Sequence, residues 1–262
     1  MRAQHLDAPT QQEADAFRAA LPGLCSPTGD LAALLADMQR LRTQPQAQAA
    51  ALDALADLMA GAGDWVRANG KTVDDNIGTI FELGGVEAGS AAMQAHASER
   101  AVQRAVCTMF DNLASASPHA TAIRVKAREL GVIEGVLAAL AAFDSDRALV
   151  TAALGALDSL MLGSADNKSR VVAGGGIEVM LAVLAAFDSD RALVEAALGA
   201  LDSLMIGSDD NRSRVVAAGG VEGVLKALET FSDDDTPYGV VYCAVSALYQ
   251  VSKGGGADAA PG

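Results

Sequence analysis

Between Arg191 and Gly207 the chain reads RALVEAALGALDSLMIG, with apolar residues at helical spacing. Leu193, Ala197, Ala200, Leu201 and Leu204 recur every three or four positions, which predicts an amphipathic helix with that stripe buried. Upstream, IEVMLAVLAAF (Ile177 to Phe187) predicts a second helix, and NKSRVVA (Asn167 to Ala173) a short first one. Gly174, Gly175 and Gly176 break the first from the second, and Asp188, Ser189 and Asp190 offer N-cap oxygens before the third. The alanines on the third-helix stripe let neighbouring helices approach closely. Nothing in the pattern predicts strands.

This triplet of helices recurs. The stretch from Leu137, LAALAAFDSDRALVTAALGALDSLMLGSADNKSRVVAGGGIEVML, returns 44 residues later from Leu181 with about nine differences, most of them mild. The glycine punctuation followed by Glu reappears at Gly84-Gly85 with Glu87, Gly131 with Glu134, Gly175-Gly176 with Glu178 and Gly219-Gly220 with Glu222. The Glu spacings are 47, 44 and 44. A period of roughly 40–47 residues built on helices predicts a stacked-repeat solenoid, in which each unit buries its apolar face only against its neighbours.

A short helix ending in Gly-Gly, a second helix, and a longer third helix ending in A-L-x-x-L resembles the armadillo repeat. The phrase N-K/R-x-x-V-V-x-x-G-G at Asn167 and Asn211, with a looser version at Asn76, carries the resemblance further. HEAT repeats share the D-x-D-R-A-L-V opening of the third helix but lack the Gly-Gly break and short first helix. The resemblance implies an all-α, right-handed superhelical armadillo-type solenoid of about four to five three-helix repeats. Four units fall at about 76–118, 119–165, 166–209 and 210–253. A divergent N-terminal repeat or cap occupies 1–60, built from QQEADAFRAAL, DLAALLADMQRLRT and PQAQAAALDALADLM. Residues 61–75 read as a linker containing Trp65, which packs on a neighbouring repeat or contacts a ligand, and 254–262 as a flexible tail. In the last unit Thr236-Pro237 supplies a helix cap and first turn.

The resemblance also implies a concave groove lined by third helices. In peptide-binding members an Asn near the end of each third helix bonds the peptide backbone, and a Trp one turn earlier packs between its side chains. Matched motif by motif, the Asn column here holds Asp57, Asn112, Ser159, Ser203 and Gln250, and the Trp column Asp53, Thr108, Gly155, Gly199 and Ser246. One Asn survives and no Trp. A floor of Gly155, Ser159, Gly199 and Ser203 admits a bulky helix rather than clamping an extended peptide, and disfavours import of nuclear-localisation signals. One turn earlier lie Arg104, Thr151, Glu195 and Tyr242; Thr151 and Glu195 differ between near-identical repeats and tune selectivity or have drifted. Asp111, Asp158 and Asp202 form an acidic column that contacts a partner or is a solvated face. The candidate groove residues are thus Asn112, Thr151, Gly155, Ser159, Glu195, Gly199, Ser203 and Gln250.

Composition changes this picture in two ways. The chain is 51% hydrophobic but only 4% aromatic, as close helix packing by Ala, Leu and Val requires. Its net charge of −14 repels phosphate, so nucleic acid and anionic membrane are poor partners, and a protein or peptide of basic or helical character fits better. The same charge also keeps an Ala/Leu-rich rod soluble. The three cysteines, Cys25, Cys107 and Cys243, read as reduced thiols. The N-terminus has no apolar signal region and no stretch spans a bilayer, so the expected location is the cytoplasm, with nuclear access open. The sequons at Asn167 and Asn211 are then inert.

Little in the sequence points to chemistry. His5, His96 and His119 lack metal-ligand spacing, and neither H-E-x-x-H nor G-x-S-x-G occurs. GDWVRANGKT from Gly63 has the wrong glycine spacing for a phosphate loop, and Asp233–Asp235 lacks alternating ligands. Gly174–Gly176 at a helix start has the free N–H groups of an anion site, but the helix turn accounts for all three. No catalytic residue, metal or cofactor is expected. The expected function is a non-catalytic interaction scaffold or adaptor using the third-helix groove. The alternative is a structural spacer in a larger assembly using convex or end faces, and the oligomeric state is left open.

Overall fold

The computed structural model describes residues 10–24, 30–60, 72–115, 117–232 and 239–254. All regular structure among them is helical. The chain forms two compact units, Met1–Val132 and Ile133–Gly262.

The first unit holds α1 (Gln11–Leu24), α2 (Leu31–Arg40), α3 (Pro45–Met59), α4 (Val73–Glu82), α5 (Gly85–Ala95), α6 (Arg100–Ala114) and α7 (Ala120–Glu129). Its core is the packing of α3 on α6, where Leu52, Leu55, Val106, Phe110 and Leu113 are fully buried. The second unit holds α8 (Val132–Ala142), whose first residue closes the first unit, then α9 (Arg147–Met161), α10 (Ala165–Ala173), α11 (Gly176–Ala186), α12 (Arg191–Met205), α13 (Asp209–Ala217), α14 (Gly220–Thr230) and α15 (Val240–Gly254). Here the long helices pack in succession, α9 on α12 and α12 on α15, burying Leu154, Leu157, Leu198, Leu201, Ala244 and Ala247.

Several boundaries differ from the sequence reading. α10 begins at Ala165 rather than Asn167, because the Ser164 side chain accepts from the Asn167 N–H and starts the helix two residues early. α4 begins at Val73, inside the segment read as linker, because Thr72 and Asp75 form a reciprocal capping box. α12 stops at Met205, where Ile206 leaves helical geometry ahead of Gly207. Of the three N-cap candidates before it, Asp190 is the one used, accepting from the Leu193 N–H. Trp65, the phosphate-loop look-alike up to Lys71, Asp233–Asp235, Thr236-Pro237, Cys25, His5 and the tail beyond Gly254 lie outside the described residues.

The two glycines of each break do different work. Gly175 has φ 81°, a left-handed turn that a side chain would strain, and Gly84 and Gly219 match it at 85° and 86°. Gly176 is ordinary helix, but a Cβ there would lie 2.3 Å from Val171 Cγ1 and 2.8 Å from the Val171 carbonyl oxygen. Gly85 and Gly220 press equally against Ile80 and Val215. At the remaining break, Val132 replaces the second glycine and Ala127 replaces the apposed Ile or Val, both buried. The bulk has moved from one side of the contact to the other.

The Asn of the repeat phrase is a fastener. Asn167 Nδ2 donates to the Leu160 carbonyl at 2.7 Å and Asn211 Nδ2 to Leu204 at 3.0 Å, binding each short helix to the C-terminal turn of the long helix before it. Asn76 does the same toward Leu58 at 3.3 Å. In the repeat where Ile123 stands in that place, Arg124 donates twice to the Ala114 carbonyl instead. Both sequon asparagines are buried, so a glycan has no access to either.

Candidate functional site

The alternation of the α12 stripe leaves one side of the helix uncovered. Leu193, Ala197, Leu201 and Leu204 face the core, and Ala192, Glu195, Ala196 and Gly199 fall between them. With Gly155 and Asp158 of α9 and Cys243 of α15 they line a shallow depression of about 450 Å³ along the long helices of the second unit. Its floor is made of small residues and its polar groups are two carboxylates.

The floor glycine at 199 is unlike those of the breaks. It sits in mid-helix with φ outside the left-handed region, and a Cβ there would meet only Asp158 Oδ2, at 3.9 Å. Neither packing nor backbone geometry requires glycine. Glycine in a helix interior costs about 1 kcal/mol relative to Ala.

Two members of the acidic column, Asp158 and Asp202, are partly buried and hydrogen-bonded to the next long helix. Asp158 is half-buried, and burial holds its carboxyl above the ordinary range despite a hydrogen bond from Ser203 on the next long helix and the nearby charge of Lys168. Asp202 is likewise pushed up by burial, with Ser246 and Gln250 of α15 hydrogen-bonded to it. Lys168 is drawn down by burial and drawn back by Asp202 and Asp158, and its Nζ donates to the Ile206 carbonyl. Ser203 and Gln250, read from sequence as groove contacts, therefore connect successive repeats.

The remaining candidates divide between the units. Asn112, in the first unit, gives its amide to the Ala56 carbonyl at 3.0 Å, so the one surviving ladder Asn fastens α6 to α3. Asp111, on the same helix, acts on Cys107, whose thiol burial chiefly pushes up to about 12. In the second unit Gly155, Glu195 and Gly199 come together in the depression. Thr151 Oγ1 donates to the Arg147 carbonyl of its own helix at 2.9 Å, and Ser159 lies one residue beyond Asp158 on the same partly exposed face. Asp158, Ala192, Ala196 and Cys243 complete the site; three of these four were absent from the sequence-derived groove columns. The signal for the two alanines was available, because 192, 195, 196 and 199 are one helical stripe; Cys243 comes from the next long helix.

Burial pushes the Cys243 thiol up to about 11, and Glu195, Asp202 and Asp158 add to the effect, so the sulfur stays protonated at neutral pH. Among the described residues no group of three His, Cys, Asp or Glu side chains is arranged to hold a metal ion. No single helix among them is long and apolar enough to cross a membrane.

No family model matches the sequence, and no curated protein matches it. Solved structures do. An engineered protein determined as a structural-genomics target is 18% identical, with 95% of each chain covered and a TM-score of 0.68. The designed armadillo repeat protein YIII(Dq)4CqI is 19% identical over 95% of this chain and 97% of its own, with a TM-score of 0.66. A designed armadillo repeat protein in complex with the peptide (KR)4 is 17% identical over 87% and 88%, with a TM-score of 0.63. At these identities the likeness is one of fold.

Proposed function

Because the chain folds as armadillo repeats, we propose that it is a non-catalytic interaction scaffold that receives a segment of a partner protein on the long-helix face of its second unit. The observation that carries this reading is Gly199. A mid-helix glycine with open space where its side chain would be is unfavourable for the helix and leaves room for a partner's side chain. Glu195 and Asp158 beside it select for a cationic side chain, and the acidic net charge draws such a partner in. The similar fold that carries a (KR)4 peptide supports this class of ligand.

The absence of the Trp column argues for a different grip from aromatic stacking. A small-floored depression takes a bulky or helical segment, held by burial of its apolar side chains and by ion pairs at the rim. A labelled peptide of alternating Lys and Arg, titrated by fluorescence anisotropy at low salt, tests the charge preference. Glu195→Lys is expected to weaken binding by roughly tenfold or more. Equal affinity for wild type and variant would remove the depression from the site.

A further inference from the structure

We infer that the hollow between α8 and α11 in the second unit is a binding site for a small amphiphilic amine, with its hydrocarbon body on the apolar lining and its ammonium at Asp144. The hollow measures about 370 Å³, and small-molecule sites run from about 300 to 1,000 Å³. Leu140, Val150 and Val183 line it and are 2%, 0% and 7% exposed. Phe187 adds an aromatic ring, and the polar lining is Asp144 and Ser145, both exposed. Described helices bound the hollow on both sides, and it shares no lining residue with the depression at Gly199.

The next repeat supplies the chemistry of the occupant. A matching hollow lies between α11 and α14, where Leu184, Ala185, Asp188 and Val194 repeat Leu140, Ala141, Asp144 and Val150 at 44-residue spacing. There Lys226 of α14 forms part of the wall, and its Nζ donates to Asp188 at 2.8 Å. The residue 44 positions before Lys226 is Ala182, which lines the first hollow. One repeat has kept the acid without its cation, and Asp144 meets no cation among the described residues. Arg147, close by in sequence, is engaged elsewhere: its Nη1 donates to Asp190 at 2.7 Å, and its guanidinium lies 5.9 Å from the centre of the Phe187 ring. The exposed Lys226–Asp188 pair adds little stability. What it shows is an ammonium on an aliphatic stem reaching this carboxylate from this wall.

Size separates a free amine from a lysine of a partner protein. The hollow between α11 and α14 keeps about 310 Å³ although Lys226 is part of its wall, so a lysyl stem does not fill such a space. A longer hydrocarbon body does, and its burial supplies the affinity. A carboxylate or phosphate there is repelled by Asp144 and by the net charge of −14.

The test is a titration of the isotope-labelled full chain with octylammonium chloride, octanol and sodium octanoate, followed by the amide NMR shifts of Ala141, Ser145 and Phe187. Octylammonium is expected to bind with a dissociation constant on the order of 1 mM or tighter, and about tenfold more tightly than octanol or octanoate. Asp144→Asn is expected to remove that preference, and Ala182→Lys, which copies Lys226, to abolish the shifts. Lys226→Ala is expected to open a second site, read at the amides of Ala185 and Asp188. All three substituted positions are exposed, so the fold is kept. Equal binding of the three ligands, or octylammonium shifts that persist in both Asp144→Asn and Ala182→Lys, overturns the inference. So does tighter binding at this hollow by an acetylated peptide GVLKAL, the α14 sequence from Gly223 to Leu228, which assigns the hollow to a partner's lysine instead.

Discussion

Ser203 on α12 hydrogen-bonds Asp158 on α9, tying two successive long helices through a carboxylate that burial has pushed up. The residues that would read a peptide in the resembling family instead link the repeats here. The proposed binding surface is therefore the stripe one turn earlier, where Gly199 leaves space.

The raised carboxyls give stability a definite pH dependence. In Asp158 burial outweighs both the Ser203 hydrogen bond and the attraction to Lys168, so the folded chain holds that proton more tightly than the unfolded one. The stability so contributed is full below the unfolded aspartate value, near ~3.9, and is lost as pH rises through the raised folded value. Asp158→Asn keeps an oxygen for Ser203 and removes the charge. Thermal unfolding is expected to show variant and wild type equal at the acidic end and the variant more stable toward neutrality. A variant less stable at neutral pH would mean that the pairing with Lys168 outweighs burial.

Gly199→Ala is expected to stabilise the chain by about 0.5–1 kcal/mol, because the added methyl clashes with nothing and the helix gains. Gly176→Ala goes the other way, by about 1–3 kcal/mol, since its methyl meets Val171. Val171→Ala in the same chain is expected to recover part of that loss, as the Ala127 and Val132 pair does naturally. Denaturant unfolding of the two singles and the double measures this directly. Equal costs for both glycines would show that packing does not distinguish them.

Asn211→Ala removes the amide that fastens α13 to the Leu204 carbonyl and leaves that carbonyl without it, at an expected cost of about 1–3 kcal/mol. Hydrogen exchange at the end of α12 is expected to quicken more than at its middle. Uniform quickening along α12 would indicate global rather than local loosening.

Much of the fold could be read from the sequence because its signals are local. The stripe from Leu193 to Leu204, the caps at Ser164 and Asp190, and the glycine breaks each lie within one helix or one turn. The site was less legible. Gly176 and Gly199 are the same letter, and only the position of Val171 against one and open space against the other separates structure from site. Asp158 and Ser203 are 45 residues apart, one step off the 44-residue period, and alignment by motif columns hides a contact that joins one column to its neighbour. Asn112 kept the residue of a binding ladder while its amide went to Ala56, a choice that depends on where α3 lies.

The central claim is that the partner sits over Gly199. Affinity capture from lysate with wild type, Gly199→Arg and Ala182→Arg tests it most directly. The first variant fills the depression and the second alters an exposed residue of the second-helix face on α11. The expected result is a partner retained by wild type and Ala182→Arg and lost with Gly199→Arg. A partner retained by Gly199→Arg and lost with Ala182→Arg would contradict the account and move the working surface to the second helices.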